Sequence, residues 1–201
     1  MLMQRVNKYQ GLLLLKQYDL PTITWDIFTY DTTLPSICRW TLRAVKEAGN
    51  DFGLPIFFNL SSDDAIHIGR NMLNQYLKNN YIFLIYPYFS SEKTGTILID
   101  LDRSIIEAVR EDCCNLTRHS KLDISIVYKN TREVVFGDIG FFDKTEISLI
   151  ENYVSRLRRQ FFRDLLGGSI VVLEWSFASY SGGKKNDFIF QELRIIDTYK
   201  R

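Results

Sequence analysis

Nothing in this sequence spells a glycine-rich phosphate loop, a G-x-S-x-G nucleophile turn or a dinucleotide-binding fingerprint, which closes three common routes to nucleotide or acyl chemistry. Cysteine is scarce. Cys38, Cys113 and Cys114 are an odd set, their spacing fits no zinc site, and adjacent cysteines rarely bridge. A reducing, cytoplasmic setting is therefore expected rather than secretion. No apolar run approaches the roughly 20 residues that span a bilayer. The opening Met1-Leu-Met-Gln-Arg5 has no basic segment ahead of a long apolar one, so neither a membrane span nor a secretion signal is expected. A charge excess is missing too. With 25 Lys and Arg against 24 Asp and Glu, no bulk charge argues for nucleic acid or a membrane surface as partner. Low-complexity tracts and flexible linkers are also absent, so any two lobes are closely joined.

What the sequence does have is runs of β-branched and aromatic residues. Residues 169–177 and 187–196 are two such runs, separated by Ala178-Ser-Tyr-Ser-Gly-Gly-Lys-Lys-Asn186, a loop full of turn formers, and they read as a hairpin. Acids interrupt it. Glu174 breaks the first strand, and Glu192 lies two residues before Arg194 in the second, which puts those two side chains on one face. Two carboxylates beside a guanidinium can seat a divalent metal carrying phosphates, because Mg²⁺ takes few protein carboxylates and completes its shell with phosphate oxygens and water. The same three residues can equally form a structural salt bridge on a sheet.

Upstream, Asn7 caps a helix running to about Tyr18, Asp19-Leu-Pro21 stops it, and a strand is predicted over 22–28. A second helix is predicted from Pro35 through Trp40, Leu42 and Val45 to Gly49, then a strand over 56–60. Ser62-Asp-Asp64 opens a third helix carrying Ile66, Met72, Leu73, Tyr76 and Leu77. The apolar strand over 81–89 contains Pro87, which lacks a donor and belongs at a sheet edge or at a crossing between lobes. Two hairpins follow, 96–101 with 104–109 and 123–128 with 133–136, the second turning around Asn130. Asp143 with Glu146 opens the longest helix, with Ile147, Ile150, Val154, Leu157, Phe161 and Leu165 on one stripe and Gly167-Gly168 at its end. This order predicts an α+β fold of two closely joined lobes, residues 1–88 and 89–201, with mixed or antiparallel sheets and flanking helices.

Asn7-Lys-Tyr-Gln-Gly-Leu12, Asp19-Leu-Pro21, Leu54-Pro-Ile-Phe-Phe-Asn-Leu-Ser-Ser62, Thr94-Gly-Thr96, Ile105-Ile-Glu-Ala-Val-Arg110, Val172-Leu-Glu-Trp175 and Phe188-Ile-Phe-Gln-Glu-Leu-Arg-Ile195 occur in that order. By these stretches the sequence resembles the ATP-binding portion of the phosphoenolpyruvate synthase and pyruvate phosphate dikinase family, an ATP-grasp fold. The resemblance implies Lys8 as a phosphate-contacting lysine, Arg194 as its catalytic partner, and Glu174 and Glu192 as ligands of Mg²⁺. It also implies Ile85, Tyr86 and Tyr88 around the adenine of ATP. Three departures stand out: the glycines before Lys8 are missing, Asn59 stands where the family has a phosphate-binding arginine, and Val172 replaces an aspartate.

The activity implied is Mg-ATP binding with phosphoryl transfer or ATP-dependent ligation to an acceptor, either a carboxylate or a histidine on a separate phosphocarrier protein. The alternative, toward which the departures point, is a degenerate nucleotide-binding or protein-interaction module without chemistry. The family's larger enzymes add a phosphohistidine domain and a phosphoenolpyruvate-binding barrel, and 201 residues leave room for neither. Other signals are weaker. Arg156, Arg158, Arg159 and Arg163 suit phosphate or a solvated helix face, Cys113-Cys114 with His119 fits no zinc pattern, and His67 has no evident partner.

Overall fold

The computed structural model describes residues 2–49, 51, 53–76, 80–111, 121–129, 132–180, 183 and 186–198. In order these form β1 (Leu2–Val6), α1 (Lys8–Gln17), β2 (Asp26–Ile27), β3 (Trp40–Lys46), β4 (Ile56–Leu60), α2 (Ser62–Tyr76) and β5 (Tyr81–Pro87). Then come β6 (Phe89–Ile99), β7 (Arg103–Arg110), β8 (Ile124–Lys129), β9 (Arg132–Gly137), α3 (Lys144–Gln160), α4 (Phe162–Leu166), β10 (Ser169–Tyr180) and β11 (Asp187–Thr198). The strands build two antiparallel sheets, a larger one ordered β1-β11-β10-β6-β7-β8-β9 and a smaller one ordered β2-β5-β3-β4. A parallel bridge joins Thr22 to Phe190. The α+β class is as the sequence predicts. Among the described residues no helix is long and apolar enough to cross a membrane.

Local chemistry explains most of the elements. Asn7 and Asp143 head α1 and α3 with complete capping boxes, answered by Gln10 and Glu146. The Ile150, Val154 and Leu157 stripe of α3 buries against Ile97, Ile106, Ile126 and Trp175 of the larger sheet. The helix is interrupted at Phe161, so the stripe to Leu165 is shared between α3 and the short α4. Pro87 closes β5 and Phe89 starts β6, which makes this the crossing from the smaller sheet to the larger. There Tyr88 N donates to Arg39 O at 2.8 Å.

Two expectations need correction, and one strand is new. The helix predicted over 35–49 is a coil followed by β3, the strand paired on both sides in the smaller sheet. Trp40, Leu42, Ala44 and Val45 suit either period locally, and cross-strand pairing with β4 and β5 decides the matter. Pro35 anchors the preceding loop instead of opening a helix: its carbonyl accepts from Trp40 Nε1 at 3.2 Å and from Ser62 Oγ at 2.8 Å. The strand predicted over 22–28 contracts to β2 and the bridge at Thr22. β1 is a strand that pairs with β11 at the edge of the larger sheet, although no signal in the sequence marked it.

The smaller sheet buries Trp40, Leu42, Ala44, Phe83 and Ile85 under α2. Phe28 closes that core. Its ring lies so near Gly69 that an added Cβ would stand 2.4 Å from it. The larger core centres on Trp175, Phe177, Phe188 and Phe190, whose rings meet one another edge-on or stacked.

Candidate functional site

Strand register brings the two acids of the hairpin together. Glu174 on β10 stands directly opposite Glu192 on β11, with Thr96, Glu107 and Ser125 continuing the same row across β6, β7 and β8. Arg194 lies two residues along β11 and so projects from the same face. The smaller sheet turns toward this face the side of β3 and β5 that bears Arg43, Leu84 and Tyr86.

The start of α1 completes the site. Gly11 makes this approach possible, because a Cβ there would lie 1.9 Å from Leu193 O. Asn7 Nδ2 donates to Lys46 O at 3.0 Å and to Gly49 O at 3.3 Å, drawing the segment after β3 against the helix start. Asp51 at the end of that segment is buried, and its Oδ2 accepts from Lys8 N at 2.8 Å. Arg194 Nη1 lies 3.8 Å from Asp51 Oδ1.

Glu192 is the hub. It is 2% exposed, and Arg43 Nη2 approaches its Oε2 at 2.9 Å, Lys8 Nζ approaches the same oxygen at 3.5 Å, and Arg194 Nε donates to Oε1. Burial works against its charge, but Arg43, Lys8 and Arg194 outweigh it and hold the carboxyl below the usual range. Glu174 goes the other way. Burial and the neighbouring Glu192 push its carboxyl up, and among the described residues no hydrogen bond or ion pair reaches it. Burial and Arg43 lower Lys8. The Arg43 proton is held more tightly than usual despite burial, through Tyr86, Glu192 and Glu174. Lys8, Arg43 and Arg194 therefore face Asp51, Glu174 and Glu192, three cations against three carboxylates, and protonation of Glu174 leaves one positive charge in excess.

Toward the crossing between sheets the surroundings become aromatic. Tyr86 is buried beside Arg43, Tyr88 is half-buried, and the rings of Phe89 and Tyr180 meet edge-on at 5.6 Å. Tyr180 is pushed up to about 12 by burial, with Asp187 and Tyr86 adding to it. Between this aromatic end and the acids, Ser91 Oγ donates to Ser176 Oγ and Ser176 Oγ to Thr94 Oγ1, each at 2.9 Å. Ile85 faces the opposite way, into the core under α2.

Two site residues, Arg43 and Asp51, escaped sequence reading. Arg43 was hidden by the helical reading of its strand, and Asp51 belongs to no motif. Asn59, where an arginine was expected, is exposed and accepts from Arg39. His67 is exposed on α2 beside Asn71. Arg156 donates to Tyr18 O at 2.6 Å and Arg158 to Ser104 Oγ and Leu101 O, while Arg159 and Arg163 are exposed. Cys113, Cys114, His119 and Asn130 lie outside the described residues.

Among the described residues no cluster of three or more His, Cys, Asp or Glu could hold a metal. A metal here would draw on Glu174 and Glu192 and on oxygens that a ligand brings, which fits magnesium arriving with phosphates and not magnesium alone.

No family model matches the sequence, and no curated protein is similar to it in sequence. Solved structures do show a likeness in shape. The D-alanine–D-alanine ligase of Bacillus anthracis complexed with ATP is 13% identical, with a TM-score of 0.49, covering 93% of this chain and 53% of that one. The carboxyaminoimidazole ribonucleotide synthase of Aspergillus clavatus complexed with ATP is 14% identical, with a TM-score of 0.47, covering 94% and 44%. The macrocyclase MdnC of Microcystis aeruginosa, bound with the precursor peptide MdnA, is 11% identical, with a TM-score of 0.47, covering 92% and 51%. This chain thus spans about half the length of these structures.

Proposed function

We propose that the chain is an ATP-grasp-like domain that binds Mg-ATP in the seam between its two sheets. The observation that carries this reading is the convergence of Lys8, Arg43 and Arg194, from α1, β3 and β11, on the two carboxylates of one hairpin. Three cations fixed at different angles around one point suit a polyphosphate better than a single anion. Arg43, supplied by the smaller sheet, takes the part that the resemblance assigned to an arginine at position 59. Glu192 holds the cations in place until phosphate oxygens replace it, so little reorganisation accompanies binding. The half-buried aromatics around Tyr86, Tyr88, Phe89 and Tyr180 suit adenine.

Magnesium, when bound with the nucleotide, would be held by Glu174 and Glu192 and would neutralise phosphate charge. The chemistry that follows is transfer of the terminal phosphoryl group. An acceptor oxygen or nitrogen bonds to phosphorus as the bond to the bridging oxygen breaks, ADP leaves with that electron pair, and Lys8, Arg43 and Arg194 stabilise the charge. The acceptor is a carboxylate or a histidine on a separate carrier protein.

A second reading is a module without chemistry. It is favoured by the near-neutral, closed network around Glu192, which satisfies its own cations. Calorimetric titration with ATP, with and without Mg²⁺, separates the two. Mg-dependent binding that is lost in Glu174→Ala with the fold intact is the expected result. Silence at millimolar ATP leaves the module without chemistry.

A further inference from the structure

β9 closes one edge of the larger sheet, and among the described residues no strand pairs with its outer side. All six of its residues, Arg132-Glu-Val-Val-Phe-Gly137, are exposed. Its middle is apolar on both faces. Val134 and Phe136 stand opposite Val127 and Ser125 on the seam face, and Val135 stands opposite Ile126 on the other, where Ile126 is 3% exposed and Val135 36%. Natural edges are blunted by lysine, proline or an inward charge, because free main-chain groups are a template for another strand. The charges of β9 lie only at its start. The ladder fixes which groups are free. Just past its end Asp138 N donates to Asp123 O at 2.8 Å, and alternation then turns the main-chain groups of Phe136, Val134 and Arg132 toward β8 and those of Glu133 and Val135 outward.

We propose that β9 pairs edge to edge with β9 of a second copy of this chain, antiparallel and centred on Val135. Two-fold symmetry permits few registers once the outward groups are fixed, and charge chooses among them. Centring on Val135 sets Val135 against the partner's Val135 with reciprocal main-chain bonds, Val134 against the partner's Phe136, Glu133 against the partner's Gly137 and Arg132 against the partner's Asp138. Of the registers centred within β9, only this one sets unlike charges against each other. Centring on Val134 would set Arg132 against the partner's Phe136, and centring on Glu133 would bring two carboxylates together. Arg132 makes no side-chain bond or ion pair with another described residue. Asp138 is half-exposed and holds Arg110 at 3.1 Å. Pairing makes one continuous sheet with the seam faces of both copies on the same side. The contact is a single strand six residues long, at the small end for a specific complex, so the dimer is expected to be weak, in the micromolar range. It stands apart from the nucleotide reading, because β9 is four strands from Glu174.

The test is sedimentation velocity on the full chain, from low micromolar to submillimolar concentration, with thermal melts to show that each variant is folded. The parent is expected to pass from monomer to dimer. Val135→Pro removes an outward N–H, spares the bonds to β8 and should stay folded and monomeric throughout. Charge reversal tests the register and decides alone if Val135→Pro melts early. R132D and D138R each put like charges across the two-fold, and each is expected to weaken the dimer about tenfold. Mixed in equal amounts, the two variants restore unlike charges at both ends and should associate with each other far better than either does with itself. A parent that stays monomeric over the whole range overturns the proposal and leaves the edge to a strand of another protein. A dimer that persists unchanged in folded Val135→Pro overturns it as well, as does a mixture no more associated than its two components.

Discussion

Glu174 and Glu192 are the same residue type, directly opposite each other, with opposite electrostatic fates. What separates them is the company of cations: Arg43, Lys8 and Arg194 all converge on Glu192. The consequence for stability has a definite sign. Glu174 keeps its proton above the ordinary value of 4.5, so the folded chain binds that proton more tightly than the unfolded one. Its charge costs stability that is absent below 4.5 and grows as pH rises through the raised value. Glu192, held below 4.5, contributes stability that is present above that value and lost as pH falls through the lowered one. Glu174→Gln removes the first effect alone. Its gain over the parent in urea midpoint should be near zero below 4.5 and should climb as pH rises above that value. A gain independent of pH would show that the carboxyl charge is not its source.

At the level of elements, α1 couples stability to the site and α3 does not. Gly11 lies against the backbone of β11, so Gly11→Ala pushes α1 outward and moves Lys8 away from Glu192. A loss of about 1–3 kcal/mol in chemical denaturation is expected, together with weaker nucleotide binding. Asp143→Ala removes the cap of α3, costs about 1 kcal/mol and should leave nucleotide affinity unchanged. The same distinction governs what could be read in advance. Caps, hairpins and the crossing at Pro87 are signalled by neighbours in sequence, whereas the pairing of Glu174 with Glu192 depends also on a register shift between Glu174 and Trp175. Arg43 depends on β3 being a strand, which β4 and β5 decide from either side. Asp51 depends on a segment tied down by Asn7, more than 40 residues earlier. Neither relation is written in local period or propensity.

For the molecule as a whole, the seam between the sheets is bridged by charge, with Arg43 on one side and Glu192 on the other. A ligand that meets both halves should stabilise the chain as a unit. Mg-ATP at a free concentration 100 times its Kd contributes about 2.7 kcal/mol, a rise of roughly 5–10 °C in Tm. Mg²⁺ alone faces three cations and should produce no shift in the same thermal scan. The three tryptophans are divided between the two cores, Trp40 in the smaller and Trp25 and Trp175 in the larger. All three indoles are shielded from water, and among the described residues the Nε1 atoms of Trp25 and Trp175 have no hydrogen-bond partner. The chain therefore carries two built-in optical reporters. Emission from a Trp40→Phe form follows the larger sheet alone, and the part of the parent signal that it lacks follows the smaller one. Whether the halves melt together or in turn can be seen as light, without a label.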